Sequence, residues 1–438
     1  MNIRYRNTKS PFLSHATEST YQKTVLSNGI KVVTEEIPYV RSVSVGLWVN
    51  VGSRDEDEKS NGISHFVEHM VFKGTKHFSS QQIARSMESV GGYLNAFTSK
   101  ENTCFYARAL DEHLPHAIEI LSDLVQFPLF DATELEKEKY VVVEEIKNIE
   151  DDPDDVIHDY FDKRLFPKHS LGFPVIGTAN TVSNIKRDDL SNHIKKYYTS
   201  QRFVIAVAGN LKHAEVVKLI EKHFQKPKFH NDTKKREQAT KRMHTGSQSY
   251  EKPIQQAHVC LGTLGYGIKD RNRYPLLILN ALLGEGMSSR LFQNIREKYG
   301  FAYTIYSFAN YLSDTGNFGV YVGTDKKNVQ RCLELIHKEL DKLVSKPISR
   351  TELLRTKEQL KGNMMLSLEN MSSRMMRLGS GELYFNDFIP LSEIVRKVDA
   401  VNVDQVQEVA RKLFKRETFT TVIFNPAENT NAAKTLSN

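Results

Sequence analysis

Cysteine is nearly absent from this chain: only Cys104, Cys260 and Cys332 occur in 438 residues, far apart in sequence. So sparse and odd a set argues against a disulfide framework and for a reducing compartment. There is no Cys-x-x-Cys pair, so any metal site must draw mainly on histidine and carboxylates. Long apolar runs are missing as well. The best, Val43 to Val51, is interrupted by Ser44 and Asn50 and falls short of the ~20 residues a membrane helix needs. It reads as a buried strand, and no membrane partner is expected. Charge of one sign does not dominate either. The net charge is +7, and much of the excess lies between Lys234 and Arg242. A solvated linker accounts for such a run. No aromatic residues interleave with it, so no nucleic-acid partner is expected. The start, Met1 to Arg6, lacks the apolar core of a secretory signal. It is free of acids until Glu18, a weak likeness to a transit peptide, but a disordered tail is the simpler reading. The expected location is cytoplasmic, with the mitochondrial matrix as the alternative.

What is present suits a soluble globular protein. The hydrophobic fraction is 39% and the charged fraction 26%, on a chain long enough for two to four domains with sizeable cores. Element order divides it into two halves of one pattern: 21–227, a polar linker over 228–248, and 249–438. In the first half, Val43, Val45, Leu47 and Val49 alternate as a strand does. A helix carrying His65 and His69 follows. Ser79 with Gln82 predicts a capping box opening another helix, which Gly91 ends. Tyr93 to Leu110 reads as a hairpin, with helices from Leu114 to Val125 and from Asp131 onward. In the second half, Val259 and Leu261 open a strand, and helices are expected over Pro275–Leu283 and Ser288–Lys298. Phe301 to Val322 is the hairpin, Val329 to Leu343 a helix, and Ser349 with Glu352 caps another. The expected fold class is α+β, two homologous halves, each an antiparallel sheet covered by helices. The repeat breaks at one place. Where the first half has His65 and His69, the second has the apolar Leu279 to Leu283.

That break coincides with the segment His65-Phe66-Val67-Glu68-His69. Residues four apart share a helix face, so His65 and His69 can aim imidazole nitrogens at one ion. Glu68 sits beside that face, placed to take a proton from a water on the metal. Zinc favours nitrogen and carboxylate ligands in catalytic sites and keeps one position open. A third ligand is needed. The helix from Asp131 carries Glu138 and Glu145, two turns apart on one face, while Glu136 and Glu144 project differently. Glu145 reaching the ion would complete a His₂Glu set, with Glu138 supporting it.

With its flanking motifs, the chain resembles the inverted zincins of the pitrilysin and mitochondrial-processing-peptidase family. The resemblance covers Leu26 to Phe424. His65 to His69 is followed by Met70-Val71-Phe72-Lys73-Gly74-Thr75, as in the family. Glu145 lies 76 residues after His69, where the family places its third zinc ligand, and Glu138 matches the family's second acid. The resemblance implies a zinc metalloendopeptidase with Glu68 as general base. It makes Gly91 to Thr98, including Asn95, Ala96 and Phe97, a substrate-binding edge strand. Arg296 and Tyr303 match a pair that in the family holds substrate or the developing oxyanion; their plainer reading is a surface arginine and a packed tyrosine. Asp155 and Asp159 match acids that underlie arginine preference in some members, or belong to an acidic loop, Glu150 to Asp155, that caps a helix. A peptide substrate is implied and, by analogy, a homodimer. The alternative is a non-catalytic scaffold or peptide-binding subunit that retains zinc. The intact Glu68 argues against it.

Overall fold

Two β-sheets organise the molecule, and both follow one strand order. In the computed structural model, which describes residues 20–224, 236–239 and 243–427, the first sheet takes β1 (Thr20–Val25), β2 (Lys31–Glu36), β3 (Ser42–Val49), β4 (Tyr93–Thr98), β5 (Thr103–Leu110) and β6 (Phe203–Gly209). They lie in the order β1-β2-β6-β3-β5-β4. The second sheet takes β7 (Gly246–Lys252), β8 (Ala257–Leu264), β9 (Ala302–Tyr311), β10 (Gly316–Thr324) and β11 (Thr420–Pro426), in the order β7-β11-β8-β10-β9. Superposing the orders matches β2 to β7, β6 to β11, β3 to β8, β5 to β10 and β4 to β9. The duplication is thus visible strand by strand, and β4 and β9 are equivalent edges.

Purely antiparallel sheets need a correction. β2 pairs with β6, and β7 with β11, in parallel. Both β6 and β11 return after a long helical excursion, and such a crossover is what parallel pairing requires. The other pairs are antiparallel.

The helices follow their capping signals. α1 (Ile63–Val71) and α2 (Ser80–Glu88) come between β3 and β4, and the Ser79–Gln82 box opens α2. α3 (Leu114–Gln126), α4 (Ala132–Glu150), α5 (Pro153–Leu165), α6 (Ala179–Asn184) and α7 (Arg187–Tyr197) precede β6, and α8 (His213–His223) follows it. Between β8 and β9 lie α9 (Arg273–Gly284) and a helical stretch with a π-helical turn over Phe292–Glu297. α10 (Val329–Ser345), α11 (Arg350–Ser367), α12 (Met371–Phe385), α13 (Leu391–Ala400) and α14 (Val403–Leu413) come before β11. α9 occupies the place of α1. Leu279, Leu282 and Leu283 there are buried in the second core, and no metal donor replaces the histidines.

β3 is buried along nearly its whole length rather than on alternate residues. Its second face is covered by a helix from the other half. Trp48 packs against Met375 and Leu378 of α12. The approach is close: a Cβ on Gly379 would lie 2.1 Å from Trp48 Nε1. Ion pairs Arg374–Glu35, Lys23–Glu382 and Lys31–Glu382 fix the two ends of α12. α5 reciprocates, setting Val156, Ile157 and Phe161 against Cys260, Tyr321 and Phe424 of the second sheet. The halves therefore exchange one helix each.

In the basic run expected to be solvated, Glu237 and Gln238 are exposed, but Arg236 is not free in solvent. Arg236 is largely buried and forks onto the Asp55 carboxylate. The run's other cations, and the segment Met1 to Arg6, lie outside the described residues.

Candidate metal centre

α1 separates its two faces by composition. Phe66, Val67 and Met70 point into the core, which leaves His65, Glu68 and His69 on the opposite side. The start of α1 is pinned. Gly62 has φ +94°, and a Cβ there would lie 2.6 Å from the Ile176 carbonyl and 2.8 Å from Gly177 Cα. The Glu56 carboxylate accepts hydrogen bonds from the N–H groups of Gly62 and Ser64, both at 2.8 Å. It satisfies donors that a helix start leaves unpaired. Burial pushes the Glu56 carboxyl up to about 7, against these hydrogen bonds.

α4 brings its acids to the same place. Its own start is capped by Asp131, which accepts from the N–H groups of Thr133 and Glu134. Two turns separate Glu138 from Glu145, and both face α1. Glu145 Oε1 lies 3.8 Å from His65 Nε2, and Glu145 Oε2 lies 3.5 Å from His69 Nε2. One donor atom from each of the three residues falls within 4.8 Å of the others. Tetrahedral zinc with bonds of ~2.0–2.1 Å would set donors about 3.3 Å apart. The set of two imidazoles and one carboxylate therefore suits that ion in donor type, and each histidine's separation from its nearer Glu145 oxygen is close to that spacing. Burial, and then His69, push His65 down to about 3, so its imidazole is neutral and its lone pair available.

Glu138 lies behind the ligands. It is 3% exposed, with Oε1 2.9 Å from His69 Nδ1 and Oε2 accepting from Lys73 Nζ at 2.6 Å. Burial would raise its carboxyl, but His69 and Lys73 outweigh it and hold it low. For His69 burial acts downward, and Glu138, Glu145 and Glu68 together raise it. The Glu138 contact puts a proton on His69 Nδ1 and leaves Nε2 facing Glu145.

Glu68 accepts a 2.5 Å hydrogen bond from the Thr98 hydroxyl, and burial raises its carboxyl above the ordinary range. Thr98 ends β4, the last strand of its sheet. On that strand Asn95 is exposed, Ala96 packs partly against the first core, and Phe97 meets Trp48 edge-on at 5.6 Å. The outer edge of β4 has no partner strand among the described residues, so it can take another.

Arg296 and Tyr303 meet each other. The guanidinium lies 5.0 Å from the Tyr303 ring and 4.7 Å from the Phe292 ring. Tyr303 is 75% exposed, so it is not a packed tyrosine. Among the described residues no hydrogen bond or ion pair joins either to His65, Glu68, His69 or Glu145. Asp155 and Asp159 lie on α5, whose cap is Asp152. Asp155 is exposed. Asp159 is part-buried without a hydrogen-bond partner among the described residues. Burial raises it to about 6, with Lys100 opposing and Asp162, Glu150 and Asp155 adding to the rise.

Two residues at this centre, Glu56 and Lys73, have no role assigned from sequence, and Thr98, expected on the substrate-binding edge strand, has a contact to Glu68 that the sequence does not announce. Lys73 carried a signal, because it follows His69 by one turn. Thr98 shared a strand face with Ala96. Glu56 carried none, since its contact depends on a loop closing back onto α1.

Residues 31–179 match the family model described as insulinase (peptidase family M16), and residues 184–360 match the one described as peptidase M16 inactive domain. A Bacillus subtilis protein named uncharacterized zinc protease YmxG is 42% identical over 414 residues, which is 92% of this chain and 97% of that one. A Streptomyces coelicolor protein named uncharacterized zinc protease SCO5738 is 37% identical, covering 92% of this chain and 89% of its own. Among solved structures, a protease from Helicobacter pylori superposes with a TM-score of 0.88 at 24% identity, over 93% of this chain and all of that one. At that identity the likeness concerns the fold. No helix among the described residues is long and apolar enough to cross a membrane.

Proposed function

Because the chain belongs to peptidase family M16, the insulinase family, whose curated relatives are named zinc proteases, we propose that it is a zinc endopeptidase acting on internal bonds of extended peptides or unfolded segments. One observation carries the reading: two imidazole nitrogens and a carboxylate from two helices converge, with Glu68 beside them. His65, His69 and Glu145 would hold the ion. When bound, zinc supplies a Lewis acid that acidifies water and offsets negative charge on a carbonyl oxygen.

The remaining work falls to the chain's own residues. Glu68 takes a proton from the attacking water and passes it to the leaving amine. Its burial suits a carboxylate that must hold that proton between steps. Thr98 fixes one Glu68 oxygen. Glu138 keeps His69 in the required tautomer. The substrate adds as a strand along β4, past Asn95, Ala96 and Phe97, so main-chain hydrogen bonds give affinity with little sequence preference. Arg296 and Tyr303 form the second half's contribution, steadying substrate or the developing oxyanion. Asp155 and Asp159 receive a basic side chain; an unpaired, part-buried Asp159 is the observation in favour. Two copies pair so that their halves enclose the substrate, and the cytoplasm is the working compartment.

A Glu68→Gln variant tests the reaction. It should bind one zinc like the parent and lose cleavage of unfolded peptides by about a thousand-fold or more. Equal cleavage by the variant would leave a zinc-retaining scaffold or peptide-binding subunit in place of an enzyme. Absence of zinc in the parent would remove the metal assignment itself.

A further inference from the structure

A buried ion cluster joins the tips of the two equivalent hairpins. Arg54 projects from the turn between β3 and α1 and is the knot of the cluster. Its Nη1 donates to Glu101 Oε1 at 2.7 Å and to Asp314 Oδ1 at 2.7 Å, and its Nη2 donates to Asp314 Oδ2 at 2.8 Å. Glu101 sits in the β4–β5 turn, and Asp314 in the β9–β10 turn. Ser313, beside Asp314, gives both its N–H and its hydroxyl to Glu101, at 2.9 and 2.6 Å. The connecting segment closes over the pair. Its Glu237 carbonyl accepts from Arg54, its Ala239 N–H donates to Asp314, and Arg236 donates to the Glu101 carbonyl. The Arg54 and Glu101 side chains are each 1% exposed. Within the first half the Arg54 turn is seated tightly on the β4–β5 turn, since a Cβ on Gly52 would lie 2.2 Å from the Ser99 carbonyl.

The position of this cluster gives it a consequence. Glu101 is three residues beyond Thr98, the hydroxyl that holds Glu68. Asp314 lies three residues beyond Tyr311, the end of β9, and Tyr303 lies near the other end of that strand. A forked pair with a buried arginine is rigid in geometry and costly to separate. We infer that the Arg54–Asp314 pair is a clasp between the halves, and that Arg54 is a positioning residue that sets β4 and its Thr98–Glu68 contact against the strand bearing Tyr303. The catalytic part of this inference rests on the peptidase reading above; the clasp itself does not. Arg54 touches neither metal ligand nor substrate strand directly, so its effect passes through the two hairpin tips.

Asp314→Lys tests it from the less buried side. Asp314 is 32% exposed, so a lysine can turn outward while its charge repels Arg54, and Arg54–Glu101 stays intact within the first half. The three native cysteines are buried, so Glu119→Cys on α3 and Glu334→Cys on α10 can carry spin labels selectively. The parent should give one narrow label-to-label distance distribution, and Asp314→Lys a broad one. Zinc content should be unchanged. On an internally quenched peptide kcat should fall about ten-fold or more while KM moves less than about two-fold. Asp314→Asn, which keeps the shape without the charge, should fall between, and it carries the test if the lysine variant does not fold. An unchanged distribution overturns the clasp. A broadened distribution with unchanged kcat, or a kcat loss with an unchanged distribution, overturns positioning. A zinc-loaded parent that cleaves nothing would instead sink the peptidase reading and with it the positioning role, while the distance measurement still decides the clasp.

Discussion

His69 Nδ1 and Glu138 Oε1 stand 2.9 Å apart, behind the face that His69 turns to Glu145. One helix thus supplies both the acid that meets the metal side of His69 and the acid that orients it. Glu138 is buried and also carries Lys73, so it cannot drift away from the ring.

This pairing predicts a metal-affinity effect separate from ligand loss. Glu138→Gln still offers an oxygen to Nδ1 but no charge, and it weakens the hold of Lys73. Zinc affinity should fall about 10- to 100-fold, with stoichiometry at saturating zinc still one per chain. Competition titration against a chelator measures this. An affinity equal to the parent's would mean that Glu138 merely fills space.

Thr98→Val removes one hydroxyl from Glu68 and little else. The strand position tolerates valine, which is β-branched like threonine. Zinc binding and KM should hold, and kcat should fall about ten-fold. If KM rose instead with kcat unchanged, Thr98 would belong to substrate binding rather than to the base.

The sequence made the three candidate metal donors legible because each rule involved is local. Helical spacing aligns His65 with His69, and the same rule aligns Glu138 with Glu145. Two helices of known face then need only meet. The Arg54 cluster was not legible, since it depends on two hairpin turns and a connecting segment about 50 to 260 positions away arriving together. The parallel pairs β2–β6 and β7–β11 were missed for a related reason: alternation reports a strand but not the direction of its neighbour. β3 reads as a buried strand from its sequence, but nothing within Val43 to Val49 announces that α12 is the element that covers its second face. Its near-continuous apolar character, with Trp48 included, was the available sign.

Gly62 gives a prediction about the frame of the site. An alanine there would combine a left-handed φ with a clash against the Ile176–Gly177 backbone. Strain of this kind costs about 1–3 kcal/mol, and the adjacent backbone on the other side cannot relax as a side chain would. Zinc-free Gly62→Ala should unfold at lower urea concentration, and zinc affinity should drop because the α1 start shifts. A midpoint equal to the parent's would show that the loop adapts freely.

His193 ties stability to pH away from the metal. It lies on α7, 6% exposed, its ring 4.8 Å from that of Tyr197, and its Nε2 has no hydrogen-bond partner among the described residues. Burial, with Lys196 and Arg202 adding, holds it at about 3, well below the ~6.5 of an unfolded histidine. Between these values the unfolded chain binds a proton that the folded chain refuses. Stability from this group is therefore complete above about pH 6.5 and is lost as pH falls, by about 1.4 kcal/mol per unit. His193→Phe removes the titration and keeps an aromatic ring beside Tyr197. The substitution has its own packing cost, which does not depend on pH. The test is therefore the slope: relative to the parent, the variant should gain about 2 kcal/mol between pH 6.5 and pH 5 in zinc-free urea unfolding. His65 is also held low by burial, but it is present in both proteins and cancels in the difference. Parallel stability profiles across that range would show that His193 takes up its proton without unfolding the chain.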